Sequence, residues 1–408
     1  MQAKFLDHPP ARLDDPYWAN ADWLAVACST MSASMLYGDG ELNMTGTFAG
    51  TGSFHGGHDP QLTLKAAYDH TDVYILAEWS DSDLDLNRRR WLYDGPHDPL
   101  KPDGDTSGWT SQSNDDKMAL AFEIAAASSE FGDFNSVGCA ASCHNVEGVL
   151  DMRPQTGKVD IWDWSAGISD PLGYANDQVS DPVDGRKQDG GSAIEHRNRP
   201  DGGNNRSGPR YEWDGTAQVV TRSDGSNATL DPAYFLVNKT EFTGDPAAGK
   251  TIFQASCMSC HGAEGPGSGP ALDKPEFART SRVDLSNAIL SPAHAGAAAF
   301  AALNAMRKTN LMAGLRGLSG IPGYFLTAPS GSQADVMTMS NFSLSQVNTT
   351  THAKYKILMI RKLMTGNADD AQFDLAASRA YKFGVALMDG DGRNHVGSRV
   401  GTLEFVGP

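Results

Sequence analysis

Cys257-Met258-Ser259-Cys260-His261 constrains this chain more than any other stretch. CxxCH is the attachment signature of c-type haem: two thiols bond the vinyl carbons of the porphyrin, and the adjacent imidazole becomes an axial ligand of the iron. Two intervening residues let both sulfurs reach one haem edge, and the histidine directly after them falls under the metal. A zinc or redox site is the competing reading, but zinc asks for two further ligands at finger or ribbon spacing, and none follow. Asp245-Pro246 read as N-cap and first helical residue of the helix leading into the motif, and Phe253 stands one turn before the first cysteine.

A second pair appears in Cys139-Ala140-Ala141-Ser142-Cys143-His144, with three residues between the thiols. CxxxCH is a rarer attachment variant, and a disulfide is the alternative. The stretch Val159 to Trp164 that follows has the aromatics to wall a haem, or simply to pack a core. The expected cofactors are two covalently bound haems c with their iron. The fifth cysteine, Cys28, follows Leu24-Ala25-Val26-Ala27 and reads as a buried inert thiol.

A chain of 408 residues has room for two or three domains. No apolar run approaches the roughly 20 residues needed to cross a bilayer, so no membrane span is expected. A net charge of −17 argues against nucleic acid and anionic membranes and favours a partner with a basic or mixed docking surface. Met1 to Pro10 lacks the basic start and apolar core of a secretory signal. Covalent haem is normally attached after export, so the haem reading implies a removed signal and a periplasmic or extracellular protein.

From Gln61 a β pattern sharpens: Leu62, Leu64 and Ala66 alternate with polar residues, Asp69 to Asp72 reads as a turn, and Val73 to Trp79 is rich in β-formers. This predicts a hairpin. Lys117 to Ile124 fits strand or helix and is read as strand from its place in the series. Residues 80–116 and 169–227 read as long loops, with a strand pair around Tyr211 to Thr221 and with His196 as a loop histidine. Another strand is predicted over Asp231 to Phe242. Composition shifts at Gly244, and the chain to Gly317 is Ala-rich and helical, with a second helix predicted from Pro292 through Ala305. Strands return at Tyr355 to Ile360 and Tyr381 to Leu387. The predicted organisation is a β domain in two parts, 1–242 and 318–408, interrupted by a helical module at 243–317.

Val73 to Asp81 (VYILAEWSD), Lys117 to Ile124, Val159 to Ala166 (VDIWDWSA), Pro322 to Tyr324 followed by Gly331 to Val336, Tyr355 to Thr365, and Tyr381 to Ser398 occur in that order. Together they make the β portion similar to the haem-binding subunit of ethylbenzene dehydrogenase and dimethylsulfide dehydrogenase. The resemblance implies a haem-binding β-sandwich, so the expected fold class is mainly β with a small all-α cytochrome c domain inserted. In that family a b-type haem is gripped by one ligand shortly before the tryptophan-rich strand and by another, a lysine, in the last strand-loop. Here Cys139, Cys143 and His144 stand at the first position, as in the c-type branch, and His395 is offered at the second. The implied ligand pair is His144 and His395, with a solvated turn histidine as the alternative for His395. Residues 243–317 resemble class I cytochromes c, which implies a methionine as sixth ligand opposite His261. Met312 stands about where that ligand is expected, after the predicted helix and an Arg-Lys-Thr-Asn linker. Met306 and His294 are the alternatives, the latter giving a bis-histidine iron. The resemblance also implies that Pro270 supports the His261 imidazole through its carbonyl.

The function expected is an exported dihaem cytochrome that passes single electrons between a donor and an acceptor protein. No catalytic residue is assigned, because the chain has no nucleophile elbow, phosphate loop or metalloprotease helix. The rivals are a haem enzyme with a displaceable ligand, the electron-relay subunit beside a molybdoenzyme catalytic subunit, and copies of the chain stacked into an extracellular conductor.

Overall fold

The computed structural model describes residues 1–31, 61–81, 115–129, 132–143, 153–197, 243–261, 282–319, 324–347, 350–390, 395–398 and 400–408, with short pieces at 85–86, 88, 91–93, 95, 109–111, 218–221 and 227–230. Ten strands carry the architecture: β1 (Trp23–Met31), β2 (Gln61–Tyr68), β3 (Asp72–Asp81), β4 (Lys117–Ser129), β5 (Thr156–Ser165), β6 (Tyr174–Asp181), β7 (Val336–Val347), β8 (Thr350–Lys362), β9 (Ala380–Met388) and β10 (His395–Ser398). Pairing runs β1–β2–β3–β8–β7–β6–β5–β4–β9–β10 and returns to β1, so the sheet closes.

This corrects the expected sandwich to a barrel. Local strand patterns are the same for both. What decides is that Lys117–Phe122 of β4 pairs with Phe383–Met388 of β9, which leaves neither strand with an open row of amides and carbonyls. The predicted hairpin is present, with Thr63–Tyr68 opposite Val73–Glu78.

β3 shows why these residues make strands. Its β-branched and aromatic side chains suit a pleated surface buried on both faces. Val73, Ile75, Ala77 and Trp79 face the interior, while Tyr74 and Leu76 pack under Trp18 from helix α1 (Pro16–Asn20), which Asp15 caps through the Tyr17 amide at 2.8 Å. The interior is filled by aromatics, among them Trp79 stacked on Tyr355 with ring centroids 4.7 Å apart, Trp162, Trp164 and Phe122. At one end Arg361 lies 4.6 Å over Trp162 and pairs with Asp160 at 2.6 Å, both side chains fully buried.

Two short helices, α2 (Phe134–Val137) and α3 (Ala140–Cys143), lie on the outside of the wall. Among the described residues, five more fall in sequence between β6 and β7: α4 (Pro246–Ser256), α5 (Met258–His261), α6 (Arg282–Leu290), α7 (Ala297–Ala301) and α8 (Ala305–Ser319). Strands from both sides of this segment share the barrel. α8 packs against the short strand Trp91–Tyr93. The helix predicted over Pro292 to Ala305 is instead a turn, the short α7, and the start of α8. The Arg-Lys-Thr-Asn sequence read as a linker forms the first turns of α8. Of the predicted Tyr211 to Thr221 strand pair, 218–221 pairs with 227–230, and the rest lies outside the described residues, as does Asp231 to Phe242.

Candidate functional site

The helical segment is built by one close crossing. Asp245 caps α4 by accepting from the Ala247 and Ala248 amides at 2.9 and 3.1 Å, with Pro246 at the first helical position. α4 meets α8 at Gly249 and Gly314. A Cβ on Gly249 would stand 1.8 Å from the Asn310 carbonyl oxygen, so only glycine lets the two backbones touch. Ile252, Phe253, Leu311, Met312 and Leu315 pack around this crossing.

α4 ends as the Cys257 amide donates to Phe253 at 2.7 Å, and α5 then turns the motif so that the Cys260 and His261 amides both donate back to the Cys257 carbonyl, at 3.0 and 3.1 Å. The result is a cavity of about 420 Å³, apolar except at one end, lined by Cys257, Cys260, His261, Phe253, Leu285 and Phe300 among others. This is the size and chemistry of a small-molecule or cofactor site. Cys257 and His261 are half-buried and Cys260 is exposed. Burial, with Cys260 as the lesser cause, pushes the Cys257 thiol above its ordinary range. Two sulfurs and an imidazole lining a largely apolar cavity fit a covalently held porphyrin.

His294, in the turn between α6 and α7, also lines this cavity. Its ring lies 6.1 Å from that of His261, centroid to centroid, with the planes 17° apart. Met312 is buried in the apolar cluster of the helical segment, 2% exposed, and does not line the cavity; Met306 at the start of α8 is 69% exposed. Pro270 lies outside the described residues.

At the other motif, Cys139 is buried on the outer wall of the barrel among Ala119, Ala121, Ile161 and Ala386. Its sulfur is 3.8 Å from the Val385 carbonyl of β9. The neighbouring strand β10 brings His395 opposite Met388, three residues further along β9, which at about 3.3 Å per residue is about 10 Å away. The side chains of Cys143, His395 and His196, and the whole of His144, lie outside what is described. Val159 and Ile161 of β5 face Cys139, whereas Trp162 and Trp164 point into the barrel. The tryptophan pair is therefore core and walls nothing at Cys139. The strand-centre glycine Gly384, which the sequence reading passed over, lies against Cys139; a glycine inside a strand pattern is a signal for such a close approach. The side chain of Cys28 is likewise undescribed; its backbone pairs with Ser398.

Comparison with known proteins gives two family matches. The ethylbenzene dehydrogenase model matches residues 15–263, and the cytochrome c model matches residues 246–317. No curated protein matches the chain. Among solved structures, a protein from Bacteroides uniformis ATCC 8492 described as carbohydrate-binding is 6% identical with a TM-score of 0.28, covering 100% of this chain and 98% of that one. A family 9 carbohydrate-binding module from Caldicellulosiruptor kristjanssonii in complex with glucose is 7% identical with a TM-score of 0.22, covering 100% and 96%. At these scores the likeness carries no argument.

Proposed function

The chain belongs to the ethylbenzene dehydrogenase family and carries a cytochrome c domain, and on that premise we propose that it is an exported dihaem c-type cytochrome passing single electrons between redox partners. The cytochrome c match implies covalent haem c with its iron. Cys257 and Cys260 hold one haem by thioether bonds, and His261 ligates its iron. Cys139 and Cys143 hold the second, ligated by His144 and His395. The helical module spans 243–317, between the two parts of the β domain.

The observation that carries the reading is the largely apolar cavity lined by Cys257, Cys260 and His261 together. Bound there, haem supplies a one-electron iron couple. The chain's own part is to keep water off it with Phe253, Leu285 and Phe300, and to leave the Cys260 edge at the surface, where a partner's cofactor can approach. The acidic surface supports a basic docking partner. No helix among the described residues is long and apolar enough to cross a membrane. The family supports a molybdoenzyme catalytic subunit as one candidate partner, and co-purification with a large catalytic subunit tests that.

Intact mass combined with a pyridine haemochrome assay on exported, matured protein tests the haem assignment. Two haem masses are expected, with Cys257→Ser/Cys260→Ser and Cys139→Ser/Cys143→Ser each removing one. A colourless product, or porphyrin wholly extractable into acidified solvent, rejects it.

A further inference from the structure

We propose that His294 is the sixth ligand of the iron in the helical module, opposite His261, so that this haem is bis-histidine ligated and Met312 is a packing residue. The inference rests on reading Cys257 to His261 as a haem site.

Three observations carry it. The first is the fixed position of α8. Gly249 and Gly314 bring α4 and α8 into backbone contact, and Met312, two residues before Gly314 on α8, is buried in the apolar cluster that holds Ile252, Phe253, Leu311 and Leu315 and does not line the cavity. A Cβ on Gly314 would lie 2.7 Å from the Gly249 carbonyl carbon, so α8 has no slack to rotate Met312 out toward the cavity. Met306 is on the exposed side of the same helix.

Secondly, the segment that crosses the cavity before α8 begins contains a histidine. His294 is held in a tight turn: its amide donates to Ser291 at 2.8 Å, and its carbonyl accepts from Ala297 at 3.0 Å. The Gly296 amide donates to its Nδ1 at 3.1 Å. Nδ1 is thereby turned to the backbone, which leaves Nε2 as the ligating nitrogen. In a neutral ring an accepting Nδ1 leaves the proton on Nε2; for Nε2 to hold iron that proton would have to sit on Nδ1, and the Gly296 contact would be given up.

The third observation is the spacing. Metal–imidazole bonds are about 2.0–2.1 Å, and a further ~1.1 Å from nitrogen to ring centre places two imidazoles on opposite sides of one ion about 6.2–6.4 Å apart. The His261 and His294 rings stand 6.1 Å apart and nearly parallel, and both residues line the cavity together with Cys257 and Cys260.

Imidazole in place of thioether lowers the reduction potential, because soft sulfur favours the ferrous state. The helical haem then falls closer in potential to the barrel haem than a methionine ligand would put it.

The test is spectroscopic and uses the full chain with its haems attached. The wild-type ferric protein should lack the weak far-red charge-transfer band of an iron–thioether bond. Its low-spin electron paramagnetic resonance signal should be rhombic, as near-parallel imidazole planes require. In His294→Ala one of the two haems should become high-spin and bind carbon monoxide when reduced, while Met312→Leu should leave the spectrum unchanged. A far-red band in the wild type that Met312→Leu abolishes overturns the proposal, as does a His294→Ala protein that keeps both haems low-spin. Should His294→Ala fail to mature, the wild-type band and resonance signal decide alone. Failure of the haem site itself reads differently: Cys257→Ser/Cys260→Ser would then leave the haem mass unchanged.

Discussion

Gly384 of β9 lies directly against the backbone of Cys139: a Cβ at Gly384 would stand 2.6 Å from the Cys139 amide nitrogen and 3.2 Å from its Cβ. The strand and the turn between α2 and α3 thus meet at backbone distance. Gly384→Val should displace the Cys139 segment from the wall and cost about 1–3 kcal/mol by overpacking. On the proposed dihaem assignment, haem content should drop from two per chain toward one, with the loss confined to the Cys139 site, as mass analysis of haem-bearing peptides would reveal. A variant with both haems at wild-type yield would mean that the contact does not position Cys139.

Arg361 is fully buried, and so is Asp160, which it meets at 2.6 Å; Asp177 lies 3.8 Å from the same guanidinium nitrogen. Asp160 also accepts from the Ala371 amide at 2.8 Å. Removing the one cation leaves buried carboxylates facing each other, so Arg361→Met should destabilise the barrel by about 3–5 kcal/mol. Asp160→Asn, which keeps an acceptor for Ala371, should cost less. Urea midpoints followed by tryptophan fluorescence rank the two, and equal or inverted costs would refute this account.

Much of this was legible in the sequence, for reasons that also explain the rest. The hairpin of Leu62–Ala66 with Val73–Trp79 and the Asp245-Pro246 helix start are local signals of period and capping, and both are present. Closure of the barrel was not legible, because Lys117–Phe122 and Phe383–Met388 find each other only after the chain between them has folded. The direction in which Trp162 and Trp164 point was hidden for a related reason: alternation fixes that they share a face, and only the sheet decides which face is inside. At the helical site, Met312 looked like a loop residue because Arg307 to Asn310 is polar. Those residues belong to the first turns of α8, and the glycines at 249 and 314 that fix this helix carry meaning only as a pair.

With a net charge of −17, association with a basic redox partner should be steered electrostatically. The bimolecular rate of electron transfer to a small basic cytochrome should therefore fall steeply, by about tenfold or more, as salt is raised from low to above physiological strength, where the screening length shrinks to about 8 Å or less. Stopped-flow oxidation of the reduced protein measures it. A rate independent of salt would show that the docking surface is apolar.

Asp170 gives the barrel a dependence on pH with a definite sign. Burial pushes its carboxyl from 3.8 up to about 6, against the pull of hydrogen bonds from Trp164 Nε1 at 2.8 Å and Ser340 Oγ at 2.7 Å. The folded state therefore holds this proton more tightly than the unfolded chain. Its contribution to stability is complete below about pH 4 and is lost as pH rises through about 6. A shift of about two units corresponds to about 3 kcal/mol. Burial also raises the carboxyls of Asp116, Asp160 and Asp177, which tilts stability the same way over their own ranges. Asp170→Asn keeps an acceptor for Trp164 and offers an amide to Ser340, so it should remove this share and flatten the fall in stability between about pH 4 and 6. Urea unfolding of both proteins at a series of pH values measures the difference. Parallel curves across that interval would show that Asp170 is ionised in the fold throughout, with its two hydrogen bonds outweighing the cost of burial.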